Sequence, residues 1–293
     1  MQGKVLRAQN SFFYVATREG LVEAKLRGRL KKERIAVVPG DDVELELTEG
    51  GAGVIERRCE RKSLLRRPLV ANIDQVVLVF AAREPDINPV LIDRFLVLAE
   101  WSKIERIVLC INKMDLLEGD EAEIPALAAL YREIGYPVCL LSTVTGEGVA
   151  DMQSLVKGKT SVFAGSSGVG KSSLLNCLAP GSALSTGAVS EKIKRGRHTT
   201  RTAQLLPFAG GFLVDTPGFS ATELAEIEPC ALPGLFPEFR SFFGACRFQP
   251  CTHSHEPDCA VKEAVQAGRI EDSRYASYLE MLQQSVQRKK VYR

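Results

Sequence analysis

The string Gly165-Ser166-Ser167-Gly168-Val169-Gly170-Lys171-Ser172 follows an apolar run, Thr160 to Ala164, and leads into a segment of helical spacing from about Ser173. Such a string works only as a tight turn between a buried strand and a helix, so it constrains the fold more than any other part of the chain. Its glycines let backbone N–H groups turn inward around a β-phosphate, and the helix N-terminus adds partial positive charge. Residues 165–173 are therefore expected to hold the phosphates of a nucleotide. Lys171 is placed to reach the β- and γ-phosphates, and the Ser172 hydroxyl to ligate magnesium.

A second apolar run ends in Asp215-Thr216-Pro217-Gly218. Alone it is a strand entering a proline turn. Beside a phosphate loop, Asp215 is placed to hold magnesium through water and the Gly218 N–H to sense the γ-phosphate. Between the two motifs Lys192 to Arg201 (KIKRGRHTTR) is basic and lacks apolar anchors. It reads as a switch loop in which Thr199 or Thr200 closes over magnesium and the γ-phosphate in the triphosphate state.

Base identity is carried by Asn112-Lys113-Met114-Asp115, directly after the apolar run Arg106 to Ile111. The Asp115 carboxylate can accept from guanine N1–H and the 2-amino group together, and adenine offers neither. Left against the wrong base, that carboxylate goes unpaired, which selects GTP and GDP over adenine nucleotides. Asn112 is expected to orient the loop and the base, and the stem of Lys113 to cover the purine face. Ser142-Thr143, after the next strand, is expected to reach guanine O6 through backbone N–H.

In Ras-like GTPases the phosphate loop precedes the guanine-reading motif. Here the guanine motif comes first, at 112, then the phosphate loop at 165 and Asp215 last. The order is circularly permuted, which is possible where chain ends lie close together on a surface. As a result the segment after Gly218 leads straight into the C-terminal part of the chain.

That part holds Cys246, Cys251, His253 and Cys259 within 14 residues. Three thiolates and an imidazole make a closed tetrahedral set suited to one structural zinc, with His255 as a competing imidazole. Cys59, Cys110, Cys139, Cys177 and Cys230 are scattered and read as small core residues. The N-terminus lacks the apolar core of a secretory signal and no apolar run is long enough for a bilayer, so a reducing, cytoplasmic setting without a membrane partner is expected.

Charge separates the N-terminal part from the rest. Residues 1–67 carry 15 Lys or Arg against 10 Asp or Glu, and the remainder 23 against 26. The excess clusters at Lys25, Arg27, Arg29, Lys31, Lys32 and Arg34, and again at Arg57, Arg58, Arg61, Lys62, Arg66 and Arg67. Two such clusters lean toward nucleic acid. Five short β-rich runs, Lys4 to Ala8, Phe12 to Ala16, Leu21 to Leu26, Val43 to Leu47 and Val54 to Arg57, predict a small barrel, of the oligonucleotide-binding or SH3-like kind. The Lys25 to Arg34 run is expected on a loop between strands. From Asn72 onward apolar runs alternate with helical periodicity, as in a parallel sheet with helices on both faces.

The chain resembles the ribosome small-subunit-dependent GTPase A family along its length. The resemblance rests on Arg67-Pro68 with residues 71–75 (ANIDQ), then NKMD, GSSGVGKSSLLN, GRHTT, DTPGF and the cysteine cluster ending in HEPDC. It implies a multidomain architecture: an oligonucleotide-binding-fold barrel (1–67), a circularly permuted α/β P-loop GTPase domain (68–225) and a mainly helical zinc-binding domain (226–293). It also implies a monomer that binds the small ribosomal subunit and its rRNA, assists late maturation and is stimulated by that particle, hydrolysis promoting release. Phe219 stands where many Ras-like GTPases place the glutamine that orients the attacking water, so His198 is the candidate for that task. The alternative is a non-catalytic GTP- and rRNA-binding assembly factor. Where relatives carry a Ser-Ala-Lys-like turn, this chain has Ser142-Thr143-Val144.

Asp115→Asn is expected to weaken GTP binding and to relax selectivity toward xanthine nucleotides, whose 2-oxo group accepts from the new amide. Competition between xanthosine and guanosine triphosphates measures this, and an unchanged guanine preference would assign base reading to another residue.

Overall fold

Alternation of apolar and polar residues closes the first unit into a barrel. The computed structural model describes residues 1–66, 69–118, 122–180, 203–215 and 227–291. Strands β1 (Gln2–Gln9), β2 (Phe12–Thr17), β3 (Gly20–Leu26), β4 (Asp42–Leu47) and β5 (Gly53–Arg58) join in the order β1-β2-β3-β5-β4, and β1 pairs back onto β4. This is the five-stranded closure of an oligonucleotide-binding barrel. Val5, Val15, Ala24, Leu45 and Ile55 fill it. Asn10 and Ser11 both adopt left-handed φ, the geometry of a two-residue hairpin between β1 and β2.

The two basic clusters differ in kind. The Lys25 to Arg34 run is not simply a loop: it starts on β3 and passes through a short helix, α1 (Gly28–Lys32), because Leu30 turns inward and is buried in the barrel core. In the second cluster, Arg57 pairs with Glu44, and Arg58 donates to the Ala36 carbonyl. Arg61 donates to both oxygens of the fully buried Asp41, at 2.6 and 2.9 Å. Arg61 thereby fastens the barrel from within, whereas Arg57 stays exposed beside Glu44.

A two-stranded ribbon, β6 (Leu64–Arg66) and β7 (Leu69–Ala71), joins the barrel to the central sheet; Arg67 and Pro68 lie outside the described residues. Gly40 is required at this junction. Its φ is +89° and a Cβ there would meet the Ala71 carbonyl oxygen at 2.0 Å. The buried Asn72 side chain completes the join, donating to the Gly40 carbonyl at 3.0 Å and accepting from Lys62 N–H at 2.9 Å.

The central sheet contains β8 (Gln75–Ala81), β9 (Arg106–Asn112), β10 (Val138–Leu140), β11 (Thr160–Ala164), β12 (Gln204–Phe208) and β13 (Gly211–Asp215), in the order β10-β9-β8-β11-β13-β12. All neighbours are parallel except the edge strand β12. Strands covered on both faces read as continuous apolar runs, and β8 is buried throughout. On one face Val76, Leu78 and Phe80 meet α2 (Pro89–Trp101) and α3 (Glu123–Ile134). On the other, Val77, Val79 and Ala81 meet α4 (Val149–Val156) and α5 (Lys171–Leu178). Asn88 caps α2, its side chain accepting from Leu91 N–H at 3.1 Å.

The C-terminal part consists of 3-10 turns at Leu232–Leu235 and Pro237–Phe242, then α6 (Ala260–Gln266) and α7 (Asp272–Val291). Phe236, Phe239 and Tyr278 pack ring to ring and belong to the same buried cluster as α2 and β8. Its anchor is Arg274 on α7, 1% exposed, which donates to Asp93 of α2 at 2.5 Å and to Glu238 at 2.7 Å. The Tyr131 hydroxyl also donates to Asp93, at 2.6 Å. Burial pulls the pKa of Arg274 down, but the attraction of Asp93 and Glu238 outweighs it and raises the net value. Arg94–Glu280 and Arg240–Glu100 pairs stand at the rim. No helix among the described residues is long and apolar enough to cross a membrane.

Arg274→Met leaves two carboxylates buried without their cation and is expected to cost about 3–5 kcal/mol. Urea unfolding followed by circular dichroism would show this as a lowered midpoint. A loss below about 1 kcal/mol would mean that the network carries little of the docking.

Candidate functional site

The parallel strands bring their C-terminal ends together at one edge of the sheet, where the predicted motifs meet. Beyond β11, Gly165 has φ +150°, and a Cβ there would strike the Val79 carbonyl oxygen at 2.1 Å. Gly168 and Gly170 are left-handed, with φ of +83° and +90°. α5 begins at Lys171, two residues earlier than the periodicity suggested, because Gly170 makes the turn immediately before it. No side chain caps this helix start, so its first-turn N–H groups, at Lys171, Ser172 and Ser173, face the loop mouth. Lys171 Nζ lies across the loop and donates to the Gly165 and Ser166 carbonyls, both at 2.7 Å. Val169 is buried beneath, while Ser167 and Gly168 are exposed.

Asn112, the buried last residue of β9, ties three loops together. Its Nδ2 donates to the Val169 carbonyl at 3.0 Å, and its Oδ1 accepts from Thr143 N–H at 3.2 Å. Contact is so close that a Cβ on Gly170 would lie 2.3 Å from Asn112 Nδ2. Lys113 is left-handed, φ +63°, and its ammonium donates to the Glu84 carbonyl. Pro85 of the same loop sits over Gly168. Asp115 occupies an exposed 3-10 turn, Met114–Leu116, and is held by the fully buried Ser142 hydroxyl.

The backbone N–H groups of Ser142 and Thr143, expected to reach guanine O6, have partners inside the protein. The Ser142 N–H is donated to the Glu147 carbonyl at 3.0 Å and that of Thr143 to Asn112. Both are engaged within the protein, and the Ser142 hydroxyl holds the Asp115 carboxylate. Asp215 ends β13 in register with Phe163 of β11, which sets its backbone beside the phosphate loop. Residues 192–201, with His198, Thr199 and Thr200, and residues 216–219, with Gly218 and Phe219, lie outside the described residues. A cavity of about 590 Å³ lined by Arg106, Arg132, Cys139, Asp151 and Lys159 opens where these strands begin, away from the phosphate loop.

In the C-terminal part Cys246, Cys251, His253 and Cys259 converge, their ligand atoms all within 4.8 Å of one another. Cys259 Sγ stands 3.8 Å from the sulfurs of Cys246 and Cys251. His253 Nδ1 stands 3.5 Å from Cys246 Sγ and 3.3 Å from Cys259 Sγ. Thiolates and an imidazole around one zinc at bond lengths of about 2.0–2.3 Å are separated by about 3.5–3.8 Å. The donor set and its spacing fit that ion. The Tyr275 and Tyr278 hydroxyls of α7 donate to the His253 and Thr252 carbonyls, and Phe243 stacks on the imidazole at 5.7 Å. His255 is outside the cluster, exposed and bonded to Ser254. Of the other cysteines, Cys110 and Cys139 are buried, Cys59 and Cys177 are partly so, and Cys230 is exposed, against the expectation that it packs in a core.

The RsgA GTPase profile matches residues 57–225, and the RsgA N-terminal domain profile residues 2–55. The chain belongs to the RsgA GTPase family. It is 46% identical, over 99% of its length and 97% of the relative's, to the small ribosomal subunit biogenesis GTPase RsgA of Caldanaerobacter subterraneus subsp. tengcongensis. The protein of that name from Thermotoga petrophila is 47% identical over 91% of this chain and 90% of its own. Among solved structures, YjeQ from Thermotoga maritima superposes with a TM-score of 0.84 at 41% identity, covering 97% of this chain and 98% of YjeQ. YloQ, described as a circularly permuted GTPase, gives 0.84 at 38% identity, covering 98% and 95%. Family membership makes the chain a guanine nucleotide hydrolase with a permuted sheet.

Sequence reasoning missed the Glu84-Pro85 loop, which supports both Lys113 and Gly168. A Glu-Pro pair just after a buried strand was the available signal, but nothing in it pointed to a lysine 29 positions away.

A Cys251→Ser, Cys259→Ser double variant is expected to lose one zinc per chain by elemental analysis. If zinc stayed stoichiometric, the ligand set would be wrong.

Proposed function

We propose that this GTPase binds the small ribosomal subunit through its rRNA, assists late maturation of that particle, and uses GTP hydrolysis stimulated by it to leave. Asn112 carries the reading, because one side chain joins the guanine motif to the phosphate loop, in a chain whose full-length relatives are named for small-subunit biogenesis. Division into a barrel (1–67), a GTPase domain (68–225) and a zinc-binding domain (226–293) belongs to the same proposal. So do a monomeric state and a cytoplasmic location.

Guanine is read by Asp115, which Ser142 holds in place, while Lys113 covers the purine. The loop from Gly165 to Gly170 and the first turn of α5 enclose the α- and β-phosphates, and Lys171 exchanges its two carbonyl partners for β- and γ-phosphate oxygens. Ser172 would hold magnesium by its hydroxyl and Asp215 would hold it through water, and the bound ion would supply neutralisation of phosphate charge. Thr199 or Thr200 closes over the γ-phosphate, the Gly218 N–H senses it, and His198 positions the attacking water on the particle. Cys246, Cys251, His253 and Cys259 hold the zinc, which keeps that part of the chain in shape.

GTP turnover measured with and without purified small subunits tests the whole reading. Slow intrinsic turnover, a large rise with subunits, and loss of both in Lys171→Ala are expected. His198→Ala should keep GTP affinity and lose most of the stimulated rate. No turnover under either condition would leave a non-catalytic assembly factor, and a His198 variant stimulated like the parent would assign the water to another group.

A further inference from the structure

The turn that carries His253 is gripped by a carboxylate that is not one of the four converging cysteine and histidine residues. Glu256 is half-buried, and both of its oxygens are in use. Oε1 accepts from the Thr252 N–H and from the Thr252 hydroxyl, each at 2.7 Å, and Oε2 accepts from the Ser254 N–H at 3.0 Å. The two residues it grips stand on either side of His253. Partial burial pushes the Glu256 carboxyl up, but the donors of Thr252 and Ser254 outweigh burial and hold its pKa down at about 2.

His253 needs such a grip. Its φ is +54°, a left-handed conformation that a residue with a side chain adopts rarely and at a cost. In that conformation it serves the cluster twice. Its Nδ1 lies 3.5 Å from Cys246 Sγ and 3.3 Å from Cys259 Sγ, while its backbone N–H donates to Cys251 Sγ at 3.3 Å. The same turn is held from outside as well, by the Tyr275 and Tyr278 hydroxyls on the His253 and Thr252 carbonyls. Lys262 of α6 donates to the Glu256 carbonyl at 2.7 Å, which fixes the backbone from which the carboxylate reaches back.

We propose that Glu256 is the positioning residue of the zinc centre, holding His253 in its left-handed shape so that the ion meets a ligand set already in place. The proposal rests on the reading that Cys246, Cys251, His253 and Cys259 hold zinc, and it adds the residue that sets how tightly they do so. A turn that is ordered beforehand loses less conformational freedom on binding, which is read as higher affinity and slower release. Glu256 does this without touching the metal, as groups that orient metal ligands do elsewhere. A glutamine in its place can still accept from Thr252 through its carbonyl oxygen, but its amide nitrogen cannot accept from the Ser254 N–H. One side of His253 is then released, and alanine releases both.

The test uses the full-length protein, with zinc affinity measured by competition against a chromophoric chelator and cobalt(II) as a spectroscopic stand-in for zinc. Glu256→Ala should weaken zinc about tenfold or more, and Glu256→Gln by an intermediate factor. Glutamine keeps the volume of the side chain and its bonds to Thr252, so it carries the test where the alanine variant does not fold. Cobalt-loaded parent and Glu256 variants should share the same visible bands, because their ligands are the same, whereas Cys251→Ser should shift them. Asp258, which pairs with Arg247 in the same loop, is the control for negative charge alone, and Asp258→Asn should bind zinc within about twofold of the parent. The proposal is overturned if Glu256→Ala or Glu256→Gln binds zinc like the parent, or if Asp258→Asn loses as much as Glu256→Gln. It is also overturned if the cobalt bands change in the Glu256 variants, which would make Glu256 a ligand. Elemental analysis of the parent is read separately: a parent that takes up no zinc removes the zinc reading, while a zinc-loaded parent matched by its Glu256 variants removes only the positioning role.

Discussion

Two hydrogen bonds made by one buried amide, Asn112 Nδ2 to the Val169 carbonyl and Thr143 N–H to Asn112 Oδ1, set the distance between the loop from Asn112 to Asp115 and the glycine-rich loop from Gly165 to Gly170. A nucleotide is rigid enough that these parts must keep a fixed spacing. Neither loop could keep it alone, since β9, β10 and β11 reach the edge of the sheet separately. Gly170 is part of the same constraint, because any side chain there would displace the amide. Ser142 extends the arrangement by one step, turning a buried hydroxyl toward the Asp115 carboxylate.

Permutation leaves this arrangement untouched because it alters connectivity and not neighbours. β8 and β13 flank β11 in the sheet, so a chain that ran from β13 into β8 would show the motifs in the familiar order with the same contacts. What changes is the segment beyond Asp215, which here continues toward a cysteine- and histidine-bearing unit. That unit is also seated on α2 through Arg274 and Asp93, and α2 follows the loop that supports Lys113 and Gly168. The loops around Asn112 and the cysteine–histidine cluster are thus linked through packed helices as well as through the chain.

Much of this was legible in the sequence because it depends on local spacing. Five runs with period-two alternation became the barrel strands to within two residues, and the glycine-rich string became a strand, a loop and a helix. The convergence of Cys246, Cys251, His253 and Cys259 was readable because they lie close in sequence. What escaped depends on partners distant in the chain. Arg57, Arg58 and Arg61 look like a nucleic-acid patch until Glu44, the Ala36 carbonyl and Asp41 are seen beside them. Arg274 sits in a polar helix and meets its carboxylates only across the fold. β12 was missed because Gln204 and Pro207 interrupt its apolar pattern, which an antiparallel edge strand tolerates. The hydrogen bonds of Ser142 and Thr143 were not legible because Ser-Thr after a strand says nothing about which N–H groups its own turn consumes.

The buried cluster that joins β8 and α2 to α7 runs from Leu65 to Leu282. During synthesis the barrel can close as soon as its five strands have emerged, since its contacts are local. The outer side of α2, made early, acquires its cover only when Arg274 and the rest of α7 arrive to meet Asp93. Contacts this remote in sequence make for slow closure and a long-lived sticky intermediate. For most of its own translation, this protein is a finished small barrel tethered to an apolar surface still waiting for its last helix.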